Sequence, residues 1–152
     1  IKVEVDFAGQ RYPVQISTGQ KAQEIALHPV GEVAVLQGDE IEVPLIEVAH
    51  ARSGDKGNYS NIGVIARKAE YLPWIRAALT EANIADYMQH VLDPETSKVI
   101  RYELPAMNAL NFMLENALGG GGIASLRIDP QGKAFAQQLL DMPVKVPRKL
   151  IS

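Results

Sequence analysis

The sequence predicts a single α/β domain of the α+β kind, a mixed sheet with helices packed on one face. Three observations lead there. After residue 45 the pattern runs strand, polar loop, strand, helix, strand, helix, strand, helix, an alternation that suits helices laid over a sheet. The chain has 152 residues, enough for one domain and too few for two ordinary ones. Its 47% hydrophobic and 22% charged content is that of a chain able to bury a core, and unlike that of a disordered one.

The elements follow in order. Residues 2–7 alternate with Val3, Val5 and Phe7 on one side, and residues 11–16 alternate with Tyr12, Val14 and Ile16. Ala8-Gly9-Gln10 between them predicts a β-hairpin, and Pro13, lacking a donor, an edge position. Residues 20–28 predict a short helix ended by His28-Pro29. Residues 33–36 and 41–48 read as strands separated by the turn Gln37-Gly38-Asp39-Glu40. Residues 62–66 are short, uncharged and rich in β-branched side chains, so they predict a buried strand. A helix is expected over 69–81, with Leu72, Ile75 and Leu79 on one face and Pro73 in its first turn. A second helical piece is expected over 84–91, then a loop at Asp93-Pro94-Glu95 and an alternating strand over 98–104. Residues 106–118 give the strongest helical pattern, with Met107, Leu110, Leu114 and Ala117 on one face. Glycines 119–122 would end that helix. A strand over 125–128, a turn over 129–132, a helix over 133–140 and a terminal strand over 143–146 complete the series. Residues 1–43 form a strand-rich extension and residues 44–146 the core of the single domain.

Composition narrows the function. The formal net charge of −3 argues against a broad nucleic-acid surface, which needs phosphate-neutralising basic residues. With no cysteine there is no disulfide framework, thiolate nucleophile or cysteine zinc site. His28, His50 and His90 lie far apart and form no ligand motif, so neither a metal nor a cofactor is expected. No apolar run approaches the ~18 residues of a membrane span, and no basic start leads into an apolar signal core. These features predict a cytoplasmic protein without membrane partners. The chain opens on Ile1 rather than Met, which implies a trimmed start or a piece of something longer.

The chemistry concentrates in residues 50–61, His-Ala-Arg-Ser-Gly-Asp-Lys-Gly-Asn-Tyr-Ser-Asn. Apolar strands on either side would hold this loop rigidly at one end of a sheet. Gly54 and Gly57 permit positive φ, so backbone N–H groups can converge on an anion. Arg52 offers a planar fork for a carboxylate or phosphate, and Lys56 a mobile point charge. Asp55 can orient either cation or serve as a base. Ser53, Asn58, Ser60 and Asn61 supply neutral donors and acceptors. Ser, Gly, Asp and Asn are also ordinary turn formers, and a solvated turn with a local Arg–Asp pair has the same composition. The segment lacks the GxxxxGK[ST] of a phosphate loop. His50, Ser53 and Asp55 sit too close in sequence for a hydrolase triad, whose members converge from separate elements.

A second feature is Asn108, Asn111 and Glu115, which share one face of the expected helix before Gly119, Gly120 and Gly121. The stripe is either a solvated face or, with the glycine backbone, the opposite wall of the pocket.

Residues 49–67 (AHARSGDKGNYSNIGVIAR), 101–121 (RYELPAMNALNFMLENALGGG) and 125–140 (SLRIDPQGKAFAQQLL) resemble the C-terminal domain of the AtuA, or acyclic terpene utilisation, proteins. The resemblance covers about residues 44–142 and implies a ferredoxin-like sandwich. It implies that Arg52, Ser53, Gly54, Asp55, Lys56, Gly57, Ser60 and Asn61 form the family's polar signature, with Asn111 and Gly119 to Gly121 matching a second stretch. It also implies a setting in catabolism of acyclic terpenes through acyl-CoA intermediates, where larger members carry an additional N-terminal domain. Two functions follow. As a subunit or severed C-terminal domain of an enzyme acting on acyl-CoA or carboxylic acids, the chain would hold a small anionic ligand on Arg52 and Lys56. Asp55, His50 and Lys56 would be its catalytic side chains. Alternatively it is a non-catalytic module that docks a larger AtuA-type chain, with residues 1–43 driving formation of a homo-oligomer.

Overall fold

Alternation on both sides of Ala8-Gly9 does produce a hairpin in the computed structural model, which describes residues 3–15 and 38–151. β1 (Val3–Phe7) and β2 (Gln10–Val14) run antiparallel with Phe7 opposite Gln10. Ala8 (φ 51°) and Gly9 (φ 76°) are both left-handed, as a type I′ turn requires. The helix expected at 20–28 and the strand at 33–36 lie outside the described residues. The strand expected at 41–48 is shorter: β3 (Glu40–Pro44) ends at its proline, and Leu45–Glu47 turns as a 3-10 helix.

The correction with most bearing on function falls on residues 50–61. They are not a loop. β4 (Ala49–Lys56) and β5 (Tyr59–Ala66) run antiparallel through them and meet at Gly57-Asn58. Gly57 (φ 65°) takes the first central position, where a type II′ turn needs glycine. Ala49, Ile62 and Val64 are buried on one face, and their burial fixes the register despite the weak strand propensity of Ser, Asp, Gly and Asn.

The helix expected over 69–81 forms as a 3-10 turn, Ala69–Tyr71, followed by α1 (Leu72–Ala78), and the second helical piece expected over 84–91 forms slightly earlier as α2 (Glu81–Tyr87). Pro73 does occupy the first turn of α1. Leu79 leaves helical geometry, and Thr80 caps α2 by accepting the Asn83 N–H at 3.1 Å, so the first helix stops short of residue 81 and the second starts there. β6 (Lys98–Leu104) forms where alternation placed it.

Residues 106–118 are not helical. Pro105–Met107 is a 3-10 turn, Asn108 (φ 50°) ends it, and β7 (Ala109–Glu115) follows. Leu110 and Leu114 satisfy a spacing of four and a spacing of two alike. Phe112 between them is fully buried, which only the strand allows. β7 lies in the middle of the sheet, and pairing on both sides outweighs the helix-forming character of Ala, Leu, Met and Glu. α3 (Phe135–Leu140), β8 (Pro143–Pro147) and α4 (Arg148–Ile151) end the chain. The strand expected at 125–128 is absent. That segment is irregular and is pinned by Arg127, whose guanidinium donates to the carbonyls of Val91 (2.7 Å) and Ala117.

The main sheet has the order β4-β5-β7-β6, and β3 pairs with β8 in a second, two-stranded sheet. All pairings among the described strands are antiparallel. From β5 onward the run strand, helices, strand, strand, helix is the ferredoxin-like plan, with β5 and β6 parallel to each other across β7. The fourth strand is supplied differently: β4 takes the edge beside β5, while β8, after α3, pairs with β3. Leu110, Phe112, Leu114 and Val64 project into the same core as Ile75, Ile84, Phe135 and Leu139, with α3 lying on β4 and α2 beside β6. This is the α+β architecture the sequence predicts, with helices on one face. No helix among the described residues is long and apolar enough to cross a membrane.

Candidate functional site

Because side chains alternate along a strand, β4 and β5 sort the polar signature onto two faces. Ala51, Ser53, Asp55 and Ser60 turn toward the helices; His50, Arg52, Gly54, Lys56 and Asn61 turn to the open face. Pairing of Gly63 with both Arg52 and Asn111 adds Asn111 to the same row. The open face holds a depression of about 470 Å³ lined by Arg52, Gly54, Lys56, Asn61, Gly63 and Asn111, with Ser53, Asp55 and Lys133 at its edge.

The Arg52 guanidinium makes no hydrogen bond or ion pair with any described residue. Beside it, the Asn61 side-chain amide donates to the Asn111 carbonyl oxygen, so each amide is held in place and keeps one polar end unshared. Lys56 donates to the Asp55 backbone carbonyl at 3.1 Å. The Asp55 carboxylate meets Lys133 at 3.4 Å, a partly exposed pair of the kind worth about 0–1 kcal/mol. Three cations therefore face one carboxylate, and the depression carries excess positive charge.

The inward residues build the frame. Ser53 is buried; its hydroxyl accepts the Ala136 N–H at 2.9 Å and donates to the Lys133 carbonyl at 3.1 Å. Together with Asp129, which accepts the N–H groups of Lys133 and Ala134 at 2.9 and 2.8 Å, it caps the start of α3. Ser53→Ala should therefore cost about 1–3 kcal/mol by leaving a buried N–H unpaired, read as a lower urea midpoint with unchanged slope. Ser60, fully buried, donates to the Gly54 carbonyl at 3.4 Å.

Asn58 and the glycine tract form a second frame. The Asn58 carbonyl oxygen of the side chain accepts the Gly120 N–H at 2.7 Å, and its amide donates to Asn116 at 3.1 Å. Gly119, Gly120, Gly121 and Gly122 are all left-handed (φ 61°, 102°, 68° and 49°) and fold against the Gly57-Asn58 turn. They hold the tip of the hairpin and do not line the depression; of the expected opposite wall, only Asn111 does. Asn108, Asn111 and Glu115 share no helical face, because the helix is a strand.

The three side chains expected to be catalytic do not converge. His50 and Lys56 stand at opposite ends of β4, about 20 Å apart at strand rise. Asp55 faces away from both. Among the described residues no three His, Cys, Asp or Glu side chains cluster as metal ligands. Displaced pKa values occur at Tyr87 and Asp93. Tyr87 is raised by burial and by Asp141, and Asp93 is lowered by hydrogen bonds from Thr96 and Glu95.

Three features of the site go beyond the signature. Lys133 reaches it only through packing of α3, and nothing in its local sequence marks it. Gly63 does carry a signal, since a glycine inside a β-branched strand marks a bulge or a close approach. The third is an almost wholly apolar hollow of about 290 Å³, lined by His50, Ile65, Leu104, Met107 and Ala109, which adjoins the depression at Arg52 and Gly63.

No curated protein and no solved structure matches the chain. The family model for the AtuA ferredoxin-like domain matches residues 43–145, well over half of the chain, and the match includes every residue that lines the two hollows. The chain belongs to the family of AtuA ferredoxin-like domains.

Proposed function

We propose that this chain is the ligand-binding subunit or domain of an enzyme acting on acyl-CoA or carboxylic-acid substrates, and that it holds their anionic group on the open face of the β4-β5-β7-β6 sheet. The family resemblance supports acyclic-terpene catabolism as its setting. The observation that carries the proposal is Arg52: a guanidinium on the open face of the edge strand β4, unpaired among the described residues and set beside the fixed Asn61–Asn111 amide pair. A guanidinium fork matches a carboxylate in two parallel hydrogen bonds, and neutral amides beside it complete the shell without competing for charge. Lys56 and Lys133 add positive field, and Asp55 orients Lys133. Calorimetric titration of the chain with butyrate, butyryl-CoA and uncharged butyramide tests this. Both anions should bind, more weakly as salt rises, and butyramide should not. Equal binding of butyramide, or no binding of either anion, would contradict it.

A second reading, a module docked on a larger catalytic chain, is favoured by one observation. Ile123, Leu126 and Ile128 are fully exposed on a segment that Arg127 fastens firmly to the core. Co-elution with a large AtuA-type chain that is lost on Leu126→Asp would favour this reading, and separate elution would count against it.

A further inference from the structure

Gly63 has no local reason to be glycine. It lies mid-strand in β5, where glycine weakens pairing, and its φ is not left-handed. A Cβ built there would come no closer than 3.9 Å to the Arg52 carbonyl oxygen and 4.0 Å to the Asn111 side chain. Neither backbone nor packing excludes a side chain. What the glycine provides is a flat saddle between the polar depression and the apolar hollow, which share Arg52 and Gly63 in their linings. The neighbouring open-face positions of the same strand carry Asn61 and Ile65, so position 63 is the gap in that row.

From this geometry we infer that the ligand is an amphiphilic monocarboxylate. Its head pairs with Arg52 and Asn111, and its apolar chain crosses Gly63 to end among Ile65, Leu104 and Met107. The inference rests on the anion site proposed above and adds the class of ligand. A single unpaired guanidinium with neutral amides suits one planar carboxylate. A hollow of about 290 Å³ lies at the lower limit of small-molecule sites, which suits one short aliphatic chain and leaves no room for a large ring system.

Affinities of acetate and hexanoate for the full chain, measured by calorimetry with and without substitutions, test the inference. Hexanoate should bind about tenfold tighter than acetate or better, because its extra methylenes leave water. In Gly63→Val the hexanoate-to-acetate ratio should fall to about one, since a branched side chain fills the saddle. Ile65→Ser, at a partly exposed position, should lower the same ratio severalfold and keeps the test decisive should the valine variant misfold. A wild-type ratio of one, or a ratio unchanged in both folded variants, overturns the chain path while leaving the anion site standing. Failure of both carboxylates to bind overturns the anion site itself and the inference with it.

Discussion

Gly121→Ala should lower the melting temperature by about 6–12 °C, the shift that a loss of about 3 kcal/mol produces in a domain of this size. Two causes add. Residue 121 has φ 68°, and a side chain in left-handed geometry costs about 1–2 kcal/mol. The new Cβ would also overlap the Gly57 carbonyl oxygen and lie 2.6 Å from its carbon, so backbone must part from backbone. The hydrogen bond from Gly120 to Asn58 would then open, and the tip of the β4–β5 hairpin would lose its support. Gly63→Ala is the internal control. It should stay within about 0.5 kcal/mol of the parent, because nothing lies within 3.9 Å of its Cβ. Thermal melts of the two variants side by side would separate a glycine required by contact from one that leaves room.

Arg52→Ala should weaken carboxylate binding about 10- to 100-fold, as expected for loss of one charge-assisted pair worth about 1.5–3 kcal/mol. Stability should change by no more than about 0.5 kcal/mol, since the Arg52 side chain is exposed and unpaired among the described residues. Arg52→Lys should recover only part of the loss, because an ammonium keeps the charge but not the fork. Asp55→Asn should have a smaller effect: it frees Lys133 from a partly exposed ion pair and leaves the Arg52 row intact. Unchanged affinity in Arg52→Ala, with a normal melt, would remove Arg52 from the site.

Much of the fold was legible because single-period signals are reliable. β6 follows from alternation, β8 forms where a terminal strand was expected, and the first hairpin follows from Ala8-Gly9 set between alternating runs. β7 was misread because Leu110 and Leu114 fit both periods, and only the central position between β5 and β6, a non-local fact, decides between them. The polar segment was misread for a related reason. Ser53, Asp55, Asn58 and Ser60 have the composition of a loop, yet β5 is paired on both sides, which holds β4 and β5 in the sheet. That difference reshapes the site. A loop could gather all twelve residues around a ligand, whereas a strand pair sends alternate residues to opposite faces. Arg52, Lys56, Asn61 and Asn111 are thus brought to one depression, while Ser53, Ser60 and Asn58 hold α3, the hairpin and the glycine tract. Lys133 and the apolar hollow depend on tertiary packing and leave no local trace.

Amide chemical-shift mapping of the isotopically labelled chain during a butyrate titration tests the anion site most directly. The largest saturable shifts should fall on Arg52, Asn61, Gly63 and Asn111, with residues 119–128 little changed. Shifts centred on residues 119–128, or spread over the surface without saturation, would contradict the assignment of the ligand to the open face of the sheet.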